Sequence, residues 1–151
     1  MELDARAEVA APHPRVVAAL EDLTTYPHWL TIVGAAVPAP AHRDDDDRPA
    51  WFVDLVGRVG PFRRSKRVRM LRTACDRAAG AVRFERVEHD GRHHNAWILT
   101  AEATTVAEAR TGVHVHLHYG GGRSLPGADL LLRQEAHRAG SRLDAYLRTL
   151  E

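Results

Sequence analysis

The sequence has few of the residues from which several common classes of site are built. It contains a single cysteine, Cys75, which excludes an internal disulfide framework and a multi-cysteine zinc site. It has no apolar run of about 18 residues, the length that a membrane-spanning helix needs. Its net charge of +1 provides no overall attraction for nucleic acid or anionic lipid. We therefore expect neither a nucleic-acid partner nor integral membrane association.

Length and composition predict one globular domain. The 151 residues fit a single domain over 1–151, and 44% of them are hydrophobic. All but one of the 21 basic residues are arginine, which together with the many alanines is typical of a GC-rich bacterial genome. The segment 1–14 is acidic and lacks the apolar core of a signal peptide. We expect a cytoplasmic protein.

Hydrophobic periodicity separates the chain into helical and extended parts. The helical parts are 14–23, which begins at Pro14, a short piece over 24–33 and the long stretch 127–150. Alternation of apolar and polar side chains predicts strands at 3–10, 35–41, 51–59, 62–73, 81–89, 94–106 and 111–121. Strands grouped apart from helices are typical of an α+β fold. We predict a curved antiparallel sheet of six to seven strands wrapped around the C-terminal helix.

The side chains that face this helix are the candidates for a ligand site. In the strand 62–73, either Val68 and Met70 or the neighbouring Leu71 face the helix, and the sequence pattern does not decide between these two faces. The candidate ligand-binding residues are Trp29, Val53, Leu55, Met70, Phe84, Trp97, Leu99, Val115, Leu117, Tyr119, Leu131 and Glu135. Plain core packing is the alternative for each of them. A cavity is favoured by the small side chains expected between sheet and helix, which are Ala101, Ala103, Ala136 and Ala139.

Four polar side chains are candidates for a role inside such a cavity, because a buried polar group is unfavourable unless it is paired. They are Tyr119, Glu135, Arg72 and Arg86. Tyr119 could position a carbonyl or act as an acid, and a buried Glu135 would have a raised pKa and could act as a base. A solvated or paired side chain is the alternative for each. No serine lies in a nucleophile pattern, and the catalytic residues are left unassigned.

Three histidines alternate with apolar residues in the segment GVHVHLHY (112–119). In a strand the apolar residues face one side, while His114, His116 and His118 face the other. Because the apolar set must face the helix, we predict that the histidines face solvent on the convex side of the sheet. The hairpin partner 96–104 supplies only Glu102 as a further ligand, so a catalytic metal site is not expected.

Two charged segments are interpreted as solvated surface. The segment HRDDDDRP (42–49) lacks the glycine turn and distal glutamate of a calcium loop, so we predict a solvated loop. The segment RRSKRVRMLR (63–72) holds six basic residues but no aromatic residue on which a base could stack. We therefore predict that this segment does not bind nucleic acid. We also expect no metal and no cofactor.

The order of elements and several local motifs resemble a known superfamily. The motifs are ARAEVAAPHPRVVAALEDLTTYPHWL (5–30) with its Tyr-Pro-x-Trp at 26–29, WFVDLVGRVGPFRRSKRVRM (51–70), the last hairpin (96–121) and the closing helix (126–150). They resemble the START-like, birch-pollen-allergen-like (SRPBCC) superfamily, and within it bacterial polyketide cyclase/dehydrase-like proteins. The resemblance covers nearly the whole chain. It implies a helix-grip fold whose cavity, between sheet and C-terminal helix, takes lipids, sterols, polyketides or other apolar molecules.

Three functions are compatible with this interpretation. The first, which we favour, is a carrier or sensor of an apolar small molecule. The second is a polyketide aromatase/cyclase or dehydratase that uses the same cavity without metal, so whether the chain is an enzyme stays open. The third is a helper module that binds another protein. A homodimer is compatible with all three.

Overall fold

The computed structural model of the chain describes residues 2–59, 61–121 and 128–150, and the side chains of 58, 59, 62–64 and 128–136 lie outside this description. Two short 3-10 helices span Leu23–His28 and Arg43–Asp45. The strands and α-helices are, in chain order, β1 (Glu2–Val9), α1 (His13–Leu20), β2 (Val33–Pro38), β3 (Ala50–Val59), β4 (Phe62–Asp76), β5 (Ala81–Arg86), β6 (Trp97–Ala107), β7 (Arg110–Tyr119) and α2 (Ala128–Thr149).

The described strands form one antiparallel sheet of seven, in the order β1-β7-β6-β5-β4-β3-β2. From β2 to β7 each strand pairs with the next strand in the chain, and β1 pairs with β7. Strand β2 lies at an edge, where Pro38 ends it without loss of a ladder hydrogen bond. The arrangement confirms the predicted α+β fold with its antiparallel sheet and long C-terminal helix.

The largest difference from the predicted boundaries lies between β5 and β6. The predicted strands reach residue 89 and resume at 94, whereas the structure ends β5 at Arg86 and begins β6 at Trp97. Asp90 accepts hydrogen bonds from the backbone N–H of Arg92 and the ring of His94, and Gly91 has a φ of 71°. Such local side-chain bonds compete with ladder pairing, so these residues form a loop.

The concave face of the sheet carries the hydrophobic core. Val68 is fully buried and Met70 is 4% exposed, and both belong to the main core, which settles the inward side of β4. Leu71 is also buried, but it lies outside that core and is paired with Ala50 across β3 and β4. The sequence pattern did not distinguish the two faces of β4 because apolar side chains are buried on both of them in this part of the strand.

An aromatic cluster fixes the 3-10 helix Leu23–His28 against the sheet. The Tyr26 ring centroid lies 4.5 Å from that of Trp29 and 6.1 Å from that of Phe84, which in turn is 5.6 Å from Trp51. The Tyr26 hydroxyl donates to the carbonyl of Leu20 at 2.8 Å, so its polar end is satisfied while the ring is buried. The role of the Tyr-Pro-x-Trp motif is thus to pack this short helix against the sheet.

The small residues of α2 bring the helix close to the sheet. A Cβ atom placed on Gly140 would clash with the Cβ of Ala7 in β1. Ala139 is 4% exposed and contributes to close packing where the sequence favoured a cavity. Ala101 and Ala103 are also buried, but they lie on β6, which contacts α1. The Ala136 side chain lies outside the described part. Neither α1 nor α2, over the residues that the structure describes, is long and apolar enough to cross a membrane.

Replacement of Gly140 by alanine tests this contact. Helix propensity alone predicts that Gly140→Ala stabilises the protein by about 1 kcal/mol. We expect instead a loss of about 1–2 kcal/mol in the free energy of unfolding, because the new methyl group overpacks the contact with Ala7. Urea unfolding measures the difference, and the exposed Ser141→Ala serves as control with a change of no more than about 0.5 kcal/mol.

The close contact between Gly140 and Ala7 can also be tested by a substitution of Ala7. In an Ala7→Gly background the added methyl group has space, so Gly140→Ala should then be neutral or stabilising. A gain in stability from Gly140→Ala in the wild-type background would show that the helix does not lie this close to β1.

Candidate functional site

One row of side chains crosses the concave face at the level where β7 ends. The register pairs Trp51 with Met70, Met70 with Arg86, and Trp97 with Tyr119. The β5–β6 register ends with Glu85 opposite Ile98, so Arg86 and Trp97 are the next residues along the two strands. Directly opposite residues of antiparallel strands project to the same side, so these five side chains are neighbours. We call this set the Arg86 row.

Arg86 is a buried cation within this row. Its side chain is 5% exposed, and its Nη2 and Nε donate to Oε2 of Glu88 at 2.6 and 2.9 Å. The other oxygen of Glu88 accepts from the backbone N–H of Arg69 at 3.2 Å, which holds the carboxylate in place. An unpaired buried charge is strongly unfavourable, so the pairing with Glu88 is what allows a guanidinium here.

Trp97 contributes the one buried side-chain donor without a partner among the described residues. The residue is 7% exposed, and its Nε1–H makes no hydrogen bond within the described part of the chain. Its ring stacks on Tyr119 with centroids 4.4 Å apart, and the Tyr119 hydroxyl accepts from Nδ2 of Asn95 at 3.3 Å. A buried N–H without an acceptor costs about 1–3 kcal/mol, so an acceptor on a bound molecule would be favourable here.

Among the described side chains, the structure buries eight of the predicted ligand-binding residues and partly buries two. Leu55 and Tyr119 are partly buried against the core, and the side chains of Leu131 and Glu135 lie outside the described part. The buried members are Trp29, Val53, Met70, Phe84, Trp97, Leu99, Val115 and Leu117. Burial on the concave face is what the alternation predicted. Their contact with a ligand stays a prediction, since core packing accounts for the same burial.

Of the two arginines predicted to face the cavity, only Arg86 belongs to the row. Arg72 also faces the concave side, where it is paired with Phe84 across β4 and β5. Its Nη1 donates to the carbonyl of Glu21 at 3.0 Å, at the end of α1. Arg72 thus ties β4 to the first helix.

The space between sheet and helix is small where the structure describes both sides. The gap lined by Ala7, Val113, Ala139 and Gly140 holds about 10 Å³, which is at most one water molecule. Tyr119 lies at the opposite end of β7 from Val113, roughly 20 Å along the strand. The C-terminal half of α2 therefore closes one end of the concave side, and the Arg86 row lies at the other end.

The histidine stripe lies on the convex face, as predicted, but it is paired. His114 contacts Asp4, His118 contacts Glu2, and His116 Nε2 lies 2.6 Å from Oε2 of Glu2. The His118 imidazole lowers the pKa of Glu2, and His114 does the same for Asp4. These carboxylates come from β1, whose position beside β7 is not evident from the sequence. Within the described residues, the stripe does not bring three ligand atoms close enough to share a metal.

The aspartate segment is not purely solvated, which corrects the prediction for 42–49. The Asp45 side chain is 2% exposed, and its Oδ2 lies 2.6 Å from Nη2 of Arg69, whose side chain is 7% exposed. Nε2 of His89 lies 2.9 Å from the other carboxylate oxygen. Asp44, Asp46 and Asp47 are exposed. The segment folds over the convex face of β4 because this buried pair anchors it there.

The basic segment 63–72 is likewise divided by strand alternation. Arg67 pairs with Asp54 at 2.9 Å on β3, Arg69 is buried against Asp45, and Arg72 faces the concave side. These three cations therefore do not form one continuous basic stripe. The absence of a nucleic-acid partner stays a prediction.

No family model matches the chain, and no curated protein matches it either. Solved structures do match. TTHA0849 from Thermus thermophilus has a TM-score of 0.73 at 17% identity, with 100% of this chain and 99% of that chain covered. The Zhui aromatase/cyclase from Streptomyces sp. R1128 has a TM-score of 0.61 at 15% identity, covering 99% and 92%. A START superfamily protein from Mycobacterium smegmatis has a TM-score of 0.58 at 12% identity, covering 99% of each chain.

At these identities the likeness defines the fold. The sheet curled around a long C-terminal helix, with short helices after the first strand, is the START-like helix-grip fold, which confirms the fold that the resemblance implied. A fold of this kind hosts many functions, so the activity must be argued from the site.

The Asp45 pair predicts an acid-dependent loss of stability. Arg69 first, and His89 second, lower the pKa of Asp45 from its ordinary value of 3.8 to about 2. The unfolded chain binds this proton first, so the stabilisation is present above pH 3.8 and is lost as the pH falls towards about 2. Asp45→Asn should lower the free energy of unfolding by about 3 kcal/mol at neutral pH, because it leaves Arg69 buried without its carboxylate.

The difference between wild type and Asp45→Asn should shrink as the pH falls from 4 towards about 2. Urea unfolding at a series of pH values measures it, with the exposed Asp47→Asn as the matched control. A difference that does not vary with pH would mean that Asp45 contributes through packing alone.

Proposed function

We propose that this protein binds an apolar small molecule that carries a hydrogen-bond acceptor, as a carrier or sensor, against the Arg86 row. The observation that carries the proposal is the buried Nε1–H of Trp97, which has no partner among the described residues. A folded protein seldom leaves such a donor unpaired, because its desolvation is not compensated. A carbonyl or ether oxygen of a ligand would satisfy it.

The composition of the row suits such a ligand. Trp51, Trp97 and Tyr119 offer flat apolar faces, and Met70 offers an adaptable thioether side chain. Arg86 is already neutralised by Glu88, so the row does not require an anionic ligand. Apolar walls with a few convergent polar groups are the usual composition of small-molecule sites.

The structural neighbours support a role of this class. Besides the START superfamily protein and Zhui, the di-domain aromatase/cyclase StfQ from the steffimycin biosynthetic pathway has a TM-score of 0.63 at 18% identity. This chain covers 46% of StfQ, and StfQ covers 97% of this chain. These proteins have the same fold and differ widely in sequence, so they support the class of function and not a particular ligand.

A polyketide aromatase/cyclase or dehydratase is the second candidate. It is favoured by the presence of Arg86 and Tyr119 in the same row, where both could hydrogen-bond to carbonyl oxygens of a poly-β-ketone and fix its folding. Turnover of a poly-β-ketone surrogate that is abolished in Arg86→Gln and retained in Arg72→Gln would establish the enzyme. Binding without turnover would favour the carrier or sensor.

The first experiment is native mass spectrometry of the protein purified from its own host, followed by identification of any bound molecule. We expect a co-purified apolar compound with at least one oxygen acceptor. An empty protein that also binds none of a panel of lipids and aromatic ketones would contradict the proposal and favour a protein partner.

The role of Trp97 can be tested with two ligands that differ only in the acceptor. Anthrone carries a carbonyl where 9,10-dihydroanthracene has a methylene group. We expect the wild type to bind anthrone about fivefold more tightly, which corresponds to one neutral hydrogen bond. Trp97→Phe should lose this discrimination, because it removes the donor and keeps an aromatic ring.

Trp29→Phe is the matched control, because the Nε1–H of Trp29 already donates to Thr25 Oγ1 at 3.4 Å and its ring packs at the closed end. It should retain the preference for anthrone. Isothermal titration calorimetry measures the affinities of each protein for both ligands, and equal discrimination by Trp97→Phe and wild type would refute the assignment of the donor.

A further inference from the structure

A second cluster of polar side chains lies beside the buried Asp45–Arg69 pair on the convex face of β4. Ligand atoms of His42, Asp44 and His89 all lie within 4.8 Å of one another. His42 precedes the short helix Arg43–Asp45, and His89 follows β5. The two imidazole rings stack with centroids 3.6 Å apart and planes within 6°. Residues from two separate segments therefore meet at one point.

The separation of these atoms fits a small transition-metal ion. Zinc binds nitrogen and oxygen at about 2.0–2.2 Å, so two ligands of a tetrahedral ion lie about 3.4 Å apart. His42 Nδ1 and Asp44 Oδ2 are 3.7 Å apart, and their side chains are 36% and 67% exposed, so both are free to adjust. The parallel rings must tilt, because one ion has to lie near the planes of both.

The buried pair behind the cluster orients His89. Asp45 Oδ1 accepts from Nε2–H of His89 at 2.9 Å, while the other oxygen is held by Arg69 at 2.6 Å. A histidine whose Nε2 carries the proton has its lone pair on Nδ1. Metal-binding histidines usually donate their second ring N–H to a carboxylate in this way, which fixes both tautomer and orientation.

We propose that His42, Asp44 and His89 bind a zinc ion, through Nδ1 of each histidine and a carboxylate oxygen of Asp44. The ion would replace the hydrogen bond that the backbone N–H of Asp44 donates to His42 Nδ1 at 3.1 Å. Three protein ligands leave a fourth position for water or a small anion. The site departs from the expectation of no metal, and it does not depend on the proposed ligand at the Arg86 row.

The donor set favours zinc over calcium or magnesium. Two imidazole nitrogens suit zinc, copper, nickel or cobalt, whereas calcium and magnesium prefer oxygen ligands. Of the four aspartates, Asp45 is buried and paired with Arg69, so its carboxylate is not available to a calcium ion. The signal that sequence reasoning missed was a histidine beside the aspartates together with a second one, His89, in a distant loop.

Zinc titration followed by calorimetry and by long-range ¹H–¹⁵N spectra of the histidine rings tests the site. We expect one zinc to bind and to shift Nδ1 of His42 and His89, with His89 Nε2 still protonated. His42→Ala and Asp44→Asn should each weaken binding about tenfold or more, given that loss of even an outer partner weakens metal sites 10- to 100-fold. The Asp44 side chain is exposed, that of His42 is half-buried, and neither belongs to the hydrophobic core, so the variants should fold as wild type, which circular dichroism checks.

Matched controls separate this site from the other histidines. His93→Ala removes an exposed histidine from the same loop as His89, and His116→Ala removes the centre of the histidine stripe. Both should bind zinc with wild-type affinity at this site. The proposal is overturned if no zinc binds at millimolar concentration, if His42→Ala and Asp44→Asn bind as wild type, or if the ring shifts are confined to His114, His116 and His118.

Discussion

The pairing of β1 with β7 is the interaction on which the rest of the structure depends. It runs from Glu2 opposite His118 to Val9 opposite Thr111 and joins the first strand to the last hairpin. It also provides the surface on which α2 packs. The backbone N–H of Ala10 donates to Asp144 at 2.8 Å, and Gly140 lies against Ala7. The close contact at this end is possible only because neither Gly140 nor Ala7 carries a large side chain.

The close contact divides the concave side into two parts with different chemistry. At the Gly140 end the described side chains leave about 10 Å³ and form a closely packed core. At the other end the Arg86 row combines aromatic rings with a paired guanidinium and an unpaired indole N–H. A core optimised only for stability would avoid such groups, because buried polar atoms destabilise unless they are satisfied. Their presence at one end is the physical reason to place ligand binding there.

The two faces of β4 show how strand alternation distributes charge. Arg67 and Arg69 project to the convex side, where Asp54 and Asp45 pair with them, while Arg72 projects to the concave side. A buried pair such as Asp45–Arg69 gives little net stability over a packed apolar pair. It does fix geometry, because it holds the segment 42–49 on the sheet and the ring of His89 in one orientation. The stability of that loop and the proposed zinc site therefore share one anchor.

The sequence by itself determined the features that follow from local periodicity. Alternation set the inward faces of β6 and β7 and the outward histidines, and the order of elements specified the START-like fold. The sequence also identified Arg86 and Trp97 as candidate site residues, although it did not show that they belong to the same row. Which strands become neighbours depends on contacts between residues far apart in the chain. Only the tertiary structure therefore decided that Glu2 and Asp4 pair with the histidines, that Asp45 is buried by Arg69, and that His42 meets His89. Ala139 on α2 shows the same dependence, because by itself it suggested space, whereas it is buried beside Gly140, which lies against Ala7 of β1.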